Sequence, residues 1–239
     1  MKKFFKRLML LILLGALVYG AYYVYGNTEI LRIQKIEYNL NDNIDLYEIQ
    51  RYSRVELGVS YFMVKPRDVK TQLETHPYIE SVKVEKKFPH TLKLDIVFRE
   101  HYFNIVYSDI ILSLDDSLHV LKVLDEPMDG YTVEGFAFDS FSTGQTIIVQ
   151  KKYLLENIVL LIQLLKKSHI EEIPVISYEH DGIMLRFGEL KVRFGNGSEI
   201  ETKFNDFINI YEALKSEDII TGTIDVSSAG LPVYRPFGE

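Results

Sequence analysis

Residues that could perform chemistry are scattered along this chain of 239 residues. Its six histidines never occur three or four positions apart, so no helix would present a paired metal-binding face. They are His76, His90, His101, His119, His169 and His180. The chain has no cysteine, which excludes disulfides, thiolate catalysis and cysteine-ligated metals. We therefore predict no metal site and no cofactor.

Two short motifs suggest chemistry but have simpler explanations. Asp115-Asp116 could be a carboxylate pair, yet adjacent side chains of a strand point to opposite faces, which favours a solvated hairpin turn. The glycine-rich segment 195–197 lacks the Gly-Lys-Ser/Thr ending of a phosphate-binding loop, which favours a chain reversal before a helix. No serine, histidine and acid grouping stands out, and we predict that the protein is not an enzyme.

The N-terminus has the pattern of a membrane span. An uncharged apolar run over residues 8–26 is just long enough to cross a hydrocarbon core of about 30 Å as a helix. Four basic residues directly precede it: Lys2, Lys3, Lys6 and Arg7. Because basic residues resist translocation, we predict that residues 1–7 stay in the cytoplasm, that residues 8–27 span the plasma membrane once, and that the remainder is extracytoplasmic.

A cleaved secretory signal is the competing interpretation of this segment. The small residues Gly20 and Ala21 would permit cleavage. However, the apolar run continues through several tyrosines as far as Tyr25, and tyrosines concentrate where a span leaves the bilayer. This favours a retained anchor.

The composition of the external part argues against nucleic acid as a partner. All 34 acidic residues lie beyond Asn27, together with 23 of the 27 basic ones, which gives this part a net charge of −11. Nucleic-acid affinity comes from neutralising phosphates and needs the opposite charge. The roughly 210 residues that remain are long enough for two modest hydrophobic cores.

The first external half shows a change of apolar period that predicts strand, helix, helix, strand, strand. The predicted elements are a strand over 31–38, a helix from Asp45 to Gly58, a helix over 67–75 after Pro66, and a hairpin with strands over 81–85 and 92–98. Such a module would bury both helices on one face of a three-stranded sheet.

Specific residues within this half resemble a known family. The stretches are 31–36, 58–62, 76–84, 88–94 and 98–100. They are similar to the polypeptide-transport-associated (POTRA) domain of the bacterial cell division protein family FtsQ, called DivIB in Gram-positive bacteria. The family's Pro-x-Thr-Leu turn and Arg-Glu strand end are matched by residues 89–92 and 99–100. The resemblance implies a POTRA domain over residues 28–100.

The second half predicts a β-rich domain with two helices. Short apolar runs predict strands over 102–107, 110–114, 118–124, 175–179, 183–187, 191–195, 223–227 and 231–234, with a further strand and loop over 131–144. Apolar residues at helical spacing predict helices over 151–168 and 200–215. Segments 192–195, 222–226 and 231–234 resemble the family's β domain, which implies a β domain over 101–221 and terminal strands and a tail over 222–239. The predicted fold class is α+β.

A partner surface is predicted at the C-terminus. Residues 223–234 are rich in β-forming residues and could leave an unpaired sheet edge that accepts a partner strand. In the resembled family this region binds FtsB, called DivIC in Gram-positive bacteria, which pairs with FtsL. The residues predicted to bind the partner are Ile224, Val226, Ser228, Gly230, Leu231, Val233, Tyr234 and Arg235. The alternative is that these strands simply close the core, which explains Ile224 and Val226 more readily.

The resemblance implies a non-enzymatic division scaffold enriched at the septum, where it docks DivIC/FtsB-like and FtsL-like proteins and supports peptidoglycan synthesis. No small-molecule substrate is expected. A POTRA-bearing component of secretion or outer-membrane assembly is an alternative, but it predicts repeated modules or a following β-barrel, and neither pattern appears after Glu100. An anchored extracytoplasmic enzyme is a third class, for which a catalytic grouping is wanting.

Overall fold

The computed structural model describes residues 2–27, 29–180, 182–228 and 230–237. The chain divides into two compact units, residues 1–98 and 99–239. Its fold is α+β: an N-terminal apolar helix, a β-α-α-β-β module, and a β-rich region with two helices. This confirms the predicted fold class.

The N-terminal helix α1 covers Lys2–Asn27. Its stretch Phe5–Tyr23 is long and apolar enough to cross a membrane, and none of it is buried within the protein. A helix that is apolar all round and has no protein to cover it is suited to a lipid environment. The helix therefore suggests a membrane anchor.

The rest of the first unit forms a three-stranded sheet with two helices. Its elements are a short 3-10 helix (Glu29–Leu31), β1 (Lys35–Tyr38), α2 (Leu46–Ser53), α3 (Pro66–Leu73), β2 (Ile79–Lys87) and β3 (Thr91–Phe98). The strand order is β1-β3-β2, with β1 parallel and β2 antiparallel to the central β3. Fully buried side chains from the sheet and from α3, among them Leu73, Leu92 and Leu94, form one hydrophobic core.

Two element bounds in this unit differ from the prediction by four residues or more. Helix α2 starts as expected, because the Asp45 side chain accepts a hydrogen bond from the Glu48 backbone N–H. It ends at Ser53 and does not continue to Gly58, since Arg54 takes a left-handed conformation (φ 54°) that stops the helix. Strand β1 begins four residues later than predicted, because Leu31 ends the 3-10 turn and Arg32 forms an isolated bridge to Ser60 outside the sheet.

The second unit is built on a nine-stranded mixed sheet. Its elements are β4 (Phe103–Tyr107), β5 (Ile110–Leu114), β6 (Val120–Leu124), β7 (Tyr131–Glu134), α4 (Lys152–Lys167), β8 (Val175–Glu179), β9 (Gly182–Phe187), β10 (Leu190–Gly195), α5 (Ile200–Ser216), β11 (Gly222–Asp225) and β12 (Val233–Arg235). The strand order is β12-β11-β10-β9-β8-β7-β4-β5-β6. The edges of this sheet are therefore β12, which ends the chain's last hairpin, and β6.

Both helices of the second unit contribute to one core with the sheet. The predicted apolar stripe of α4 is buried, with Ile158, Leu161 and Ile162 fully inaccessible to solvent. On α5, Phe207 is likewise fully buried, and its ring lies 5.9 Å from that of Phe194 on β10. The helix face that carries these aromatics therefore packs against the half of the sheet that ends in β12.

The predicted solvated turn at Asp115-Asp116 is wrong for its first residue. The Asp115 side chain is only 5% exposed. One of its carboxylate oxygens accepts hydrogen bonds from the backbone N–H groups of Ser117 and His119, and the other lies 2.7 Å from the Arg99 guanidinium. Asp115 is thus the buried acceptor that organises this turn, whereas Asp116 is exposed.

Candidate partner-docking edge

Strand β11 lies inside the sheet. It pairs in parallel with β10 and antiparallel with β12, so both of its backbone edges are occupied. The side chain of Ile224 is fully buried and that of Val226 is 3% exposed. These two predicted site residues therefore lie in the hydrophobic core, as the alternative interpretation of this segment expected, and their side chains are not on the exposed edge.

Strand β12 is the outermost strand, and no described strand pairs with its outer edge. Its side chains alternate as in any strand. Val233 is 43% exposed and Arg235 is exposed, while Tyr234 between them is half-buried against the core. The strand thus presents free backbone groups along one edge, with an apolar and a cationic side chain on one face.

The loop between β11 and β12 adds an exposed apolar side chain to this edge. Ser228 and Gly230 are exposed, and Leu231 is 90% exposed. The loop leaves β11 in a fixed direction, because the Asp225 carboxylate accepts hydrogen bonds from the Ser227 N–H at 3.1 Å and from its hydroxyl at 2.6 Å. This local turn uses the ability of an aspartate to bond the backbone two residues further on.

Electrostatics around Asp225 favour its ionised form. Burial raises the pKa of this carboxyl, but the Ser227 hydrogen bonds and the nearby guanidinium groups of Arg193 and Arg235 outweigh that effect and lower the pKa. The Arg193 guanidinium lies 4.0 Å from the carboxylate. The turn that presents the loop is therefore held by a charged acceptor.

Gly222 positions β12, a role that was not predicted from the sequence. Its φ of +114° suits only glycine, and a Cβ added there would lie 2.7 Å from both a Tyr234 ring carbon and the Arg235 carbonyl oxygen. The Tyr234 hydroxyl donates a hydrogen bond of 2.8 Å to the Thr221 carbonyl over the same site. The glycine at the start of a β-rich run was the available signal of such a close backbone approach.

Six of the eight predicted site residues therefore lie together, in one loop and the edge strand that follows it. They are Ser228, Gly230, Leu231, Val233, Tyr234 and Arg235. We name these six residues the open edge. Its chemistry is that of backbone hydrogen bonding supplemented by apolar contacts and one guanidinium.

Two of the histidines contact polar side chains of the second unit through the ring nitrogen Nδ1. His101 Nδ1 lies 2.8 Å from the Ser113 hydroxyl, and His119 Nδ1 lies 3.1 Å from the Arg99 guanidinium. Burial chiefly, with a contribution from Lys166, lowers the pKa of His101. Within the described parts of the chain, no group of three or more histidine, aspartate or glutamate side chains is placed to hold a metal ion.

Comparison with known proteins agrees with the resemblance. The POTRA domain family of the FtsQ type matches residues 31–99. Over 207 residues the chain is 25% identical to the cell division protein DivIB of Clostridium botulinum Hall, covering 84% of this chain and 80% of the relative. It is 27% identical over 233 residues to the cell division protein FtsQ of Geobacter sp. M21, covering 91% of this chain and 81% of that relative.

Proposed function

Because this chain belongs to the FtsQ/DivIB family of cell division proteins, we propose that it is a non-enzymatic scaffold, anchored in the plasma membrane. In this proposal it docks DivIC/FtsB-like and FtsL-like partners at the septum and thereby supports septal peptidoglycan synthesis. Residues 1–7 are its cytoplasmic tail, residues 8–27 its single span, residues 28–100 the POTRA domain and residues 101–221 the β domain, with the terminal strands and tail over 222–239.

The observation that supports docking is the open edge. An unpaired strand offers a row of N–H and C=O groups, and a partner strand that adds to it gains main-chain hydrogen bonds. Leu231 and Val233 would add apolar burial, and Arg235 a charged contact at the rim. The proposed contact is therefore an added tenth strand of the sheet, supplied by the DivIC/FtsB-like partner.

The experiment compares the open edge with an exposed position on the sheet's other edge strand. We expect the double variant Leu231→Ser/Val233→Ser to bind a co-purified DivIC/FtsL-type pair at least about 10-fold more weakly, a loss of about 1.4 kcal/mol. The matched control is Val123→Ser on β6, because Val123 is 47% exposed, close to the 43% of Val233. Equal binding by the double variant and the control would refute docking at this edge.

Truncation is a poorer test of this proposal. Removing the chain from Gly222 onward would also remove Ile224 and Val226 from the core, so lost binding would reflect unfolding as well as lost contacts. The point variants avoid this ambiguity, because their side chains are exposed. The midpoint temperature of thermal unfolding of each variant should equal that of the parent protein.

A further inference from the structure

One end of the POTRA domain exposes large apolar side chains close together along two loops. Leu57, Phe62 and Met63 are 61%, 50% and 72% exposed in the segment between α2 and α3, and Phe88 is 71% exposed in the turn between β2 and β3. We name these four residues the apolar end. Exposed apolar groups that form a contiguous patch mark a binding surface for protein or membrane.

The sheet topology places the β2–β3 turn where the chain enters the domain from α1. Strand β1 is parallel to β3, with Lys35 opposite Thr91, so both strands start at the same end of the sheet. The backbone N–H of Gln34 donates a hydrogen bond of 3.0 Å to the carbonyl of His90 in the turn. Phe88 is therefore at the end of the domain from which the membrane helix arrives.

Backbone hydrogen bonds bring the other apolar loop to the same end. The N–H of Ile33 donates to the Val59 carbonyl at 2.8 Å, and the N–H of Tyr61 donates to the Leu31 carbonyl at 2.8 Å. Phe62 and Met63 follow Tyr61 directly. Their loop is thus fastened to the first residues after the membrane helix.

The aromatic rings of this end are held as one unit. The buried Tyr61 ring lies edge-on to Phe62 at 5.5 Å and to Phe88 at 5.9 Å between centroids. The Lys86 ammonium lies 4.3 Å from the Tyr61 ring centroid and donates a hydrogen bond to the Val64 carbonyl. The two loops therefore present their exposed rings together, which reduces the ordering cost of binding.

Chain length limits how far this end can be from the bilayer. The 19-residue apolar stretch of α1 spans about 28 Å as a helix, which matches a hydrocarbon core of about 30 Å. If this stretch fills the core, the helix end at Asn27 lies at the level of the headgroups, and Leu31 is only four residues further on. Four residues reach at most about 14 Å, so the loop bonded to Leu31 is confined to the region next to the lipid headgroups.

We propose that the apolar end rests on the outer surface of the bilayer that α1 crosses and inserts Met63 and Phe88, with Phe62 and Leu57 beside them, into the headgroup layer. This inference rests on the membrane anchoring in the proposed function. The POTRA domain would then be held against the membrane, with the end of β3 at Phe98 directed away from the bilayer. It would not move freely on the linker to α1.

The absence of cysteine from the chain allows a direct test with single fluorescent labels. Single-cysteine variants of the full chain, Met63→Cys and Phe88→Cys, are labelled with a fluorophore. Each is then reconstituted into vesicles of phosphatidylethanolamine and phosphatidylglycerol that carry a headgroup-level lipid quencher. The matched control is Val97→Cys, which is 51% exposed on the same domain but about 20 Å further along β3 from the turn. A label at Leu14→Cys, measured with a lipid quencher at mid-chain depth, reports the anchor itself, because position 14 is in the middle of the apolar stretch.

We expect labels at positions 63 and 88 to be quenched at least about threefold more strongly than the label at position 97. Adding Phe88→Asp should reduce the quenching at position 63 towards that control. Strong quenching at position 14 with equal, weak quenching at positions 63, 88 and 97 would overturn the inference while leaving the anchor intact. Weak quenching at position 14 would overturn both. If a second copy of the chain covered position 63, the label there would not be quenched by lipid. That result would also overturn the inference.

Discussion

The two edge strands of the nine-stranded sheet differ in whether another segment of the chain hydrogen-bonds to their outer side. At β6 the chain covers its own edge: the Val120 N–H donates to the Gln145 carbonyl at 3.0 Å, and the Gly144 N–H donates to the Val120 carbonyl at 2.7 Å. At β12 no described segment makes such bonds along the outer side. One edge is therefore closed, at its start, by a returning loop, and the other is left open.

The difference indicates which edge is available for binding. Unpaired edges invite aggregation, and proteins usually cover or shorten them. The closed edge is reinforced by a largely buried ion pair between Arg99 and Asp115, whereas β12, the strand of the open edge, is only three residues long and ends in a cation. A short edge strand that keeps its hydrogen-bonding groups free is suited to a specific partner. We therefore expect variants at the two edges to separate stability from binding.

The largest expected effect is at the closed edge. Asp115→Ala should lower the free energy of unfolding of the β domain by about 3–5 kcal/mol, because it removes the carboxylate of a largely buried ion pair with Arg99 and the acceptor for the backbone N–H groups of Ser117 and His119. Chemical denaturation measures this loss. At temperatures where the variant remains folded, its partner affinity should equal that of the parent. A loss below about 1 kcal/mol would show that this ion pair does not reinforce the edge.

A smaller loss of stability with a large loss of binding is expected from Gly222→Ala. The new methyl group would meet the Tyr234 ring and the Arg235 carbonyl, in a conformation that disfavours alanine, at a cost of roughly 1–3 kcal/mol. The strain is relieved by displacing β12. The control is Gly188→Ala, where φ is also positive (+51°) but nothing lies within 4 Å. Parent-like partner binding by Gly222→Ala would contradict the positioning role of this glycine.

Tyr234→Phe should have a modest effect. It removes the hydrogen bond from the Tyr234 hydroxyl to the Thr221 carbonyl and should lower the free energy of unfolding by about 0.5–1 kcal/mol. The ring remains, so β12 keeps its place and partner affinity should fall less than about threefold. Thermal unfolding and binding measured on one preparation test both statements; a complete loss of binding would instead make the hydroxyl a direct contact.

The smallest effect should appear as a dependence on pH. The folded-state pKa of Asp225 lies below its ordinary value, so this carboxylate stabilises the fold above its unfolded-state pKa, and the stabilisation is lost as the pH falls through the folded-state pKa. Asp225→Asn should therefore reduce stability by about 1 kcal/mol or less near neutral pH, and its curve should converge with that of the parent in acid. Curves that stay parallel down to pH 2 would contradict this linkage.

The periodicity of apolar residues predicted most elements because each strand and helix buries one regular face. The α4 stripe, including Ile158 and Ile162, and the hairpin of β2 and β3 were found in this way. Helix α2 was predicted too long because Val55 is buried at a helical spacing although the helix has already ended at Ser53. Periodicity reports burial, and a residue can be buried just beyond the element that it follows.

Long-range pairing was not available from the sequence. Two adjacent aspartates are typical of a solvated turn, and nothing local reveals that Arg99 returns to neutralise Asp115. The predicted edge was placed over residues 223–234, but the parallel pairing of β10 with β11 puts β11 inside the sheet and leaves only β12 at the margin. Strand order depends on contacts between distant residues, which a single sequence does not display.

The most direct test of partner docking is amide hydrogen exchange of the full chain, with and without the DivIC/FtsL-type pair. Binding should slow exchange at least about 10-fold at those N–H groups of residues 231 and 233–235 that face away from β11, because the partner strand pairs them, while residues 120–124 of β6 exchange as before. Unchanged exchange along β12, or equal protection of both edges, would contradict the proposal that the open edge receives the partner strand.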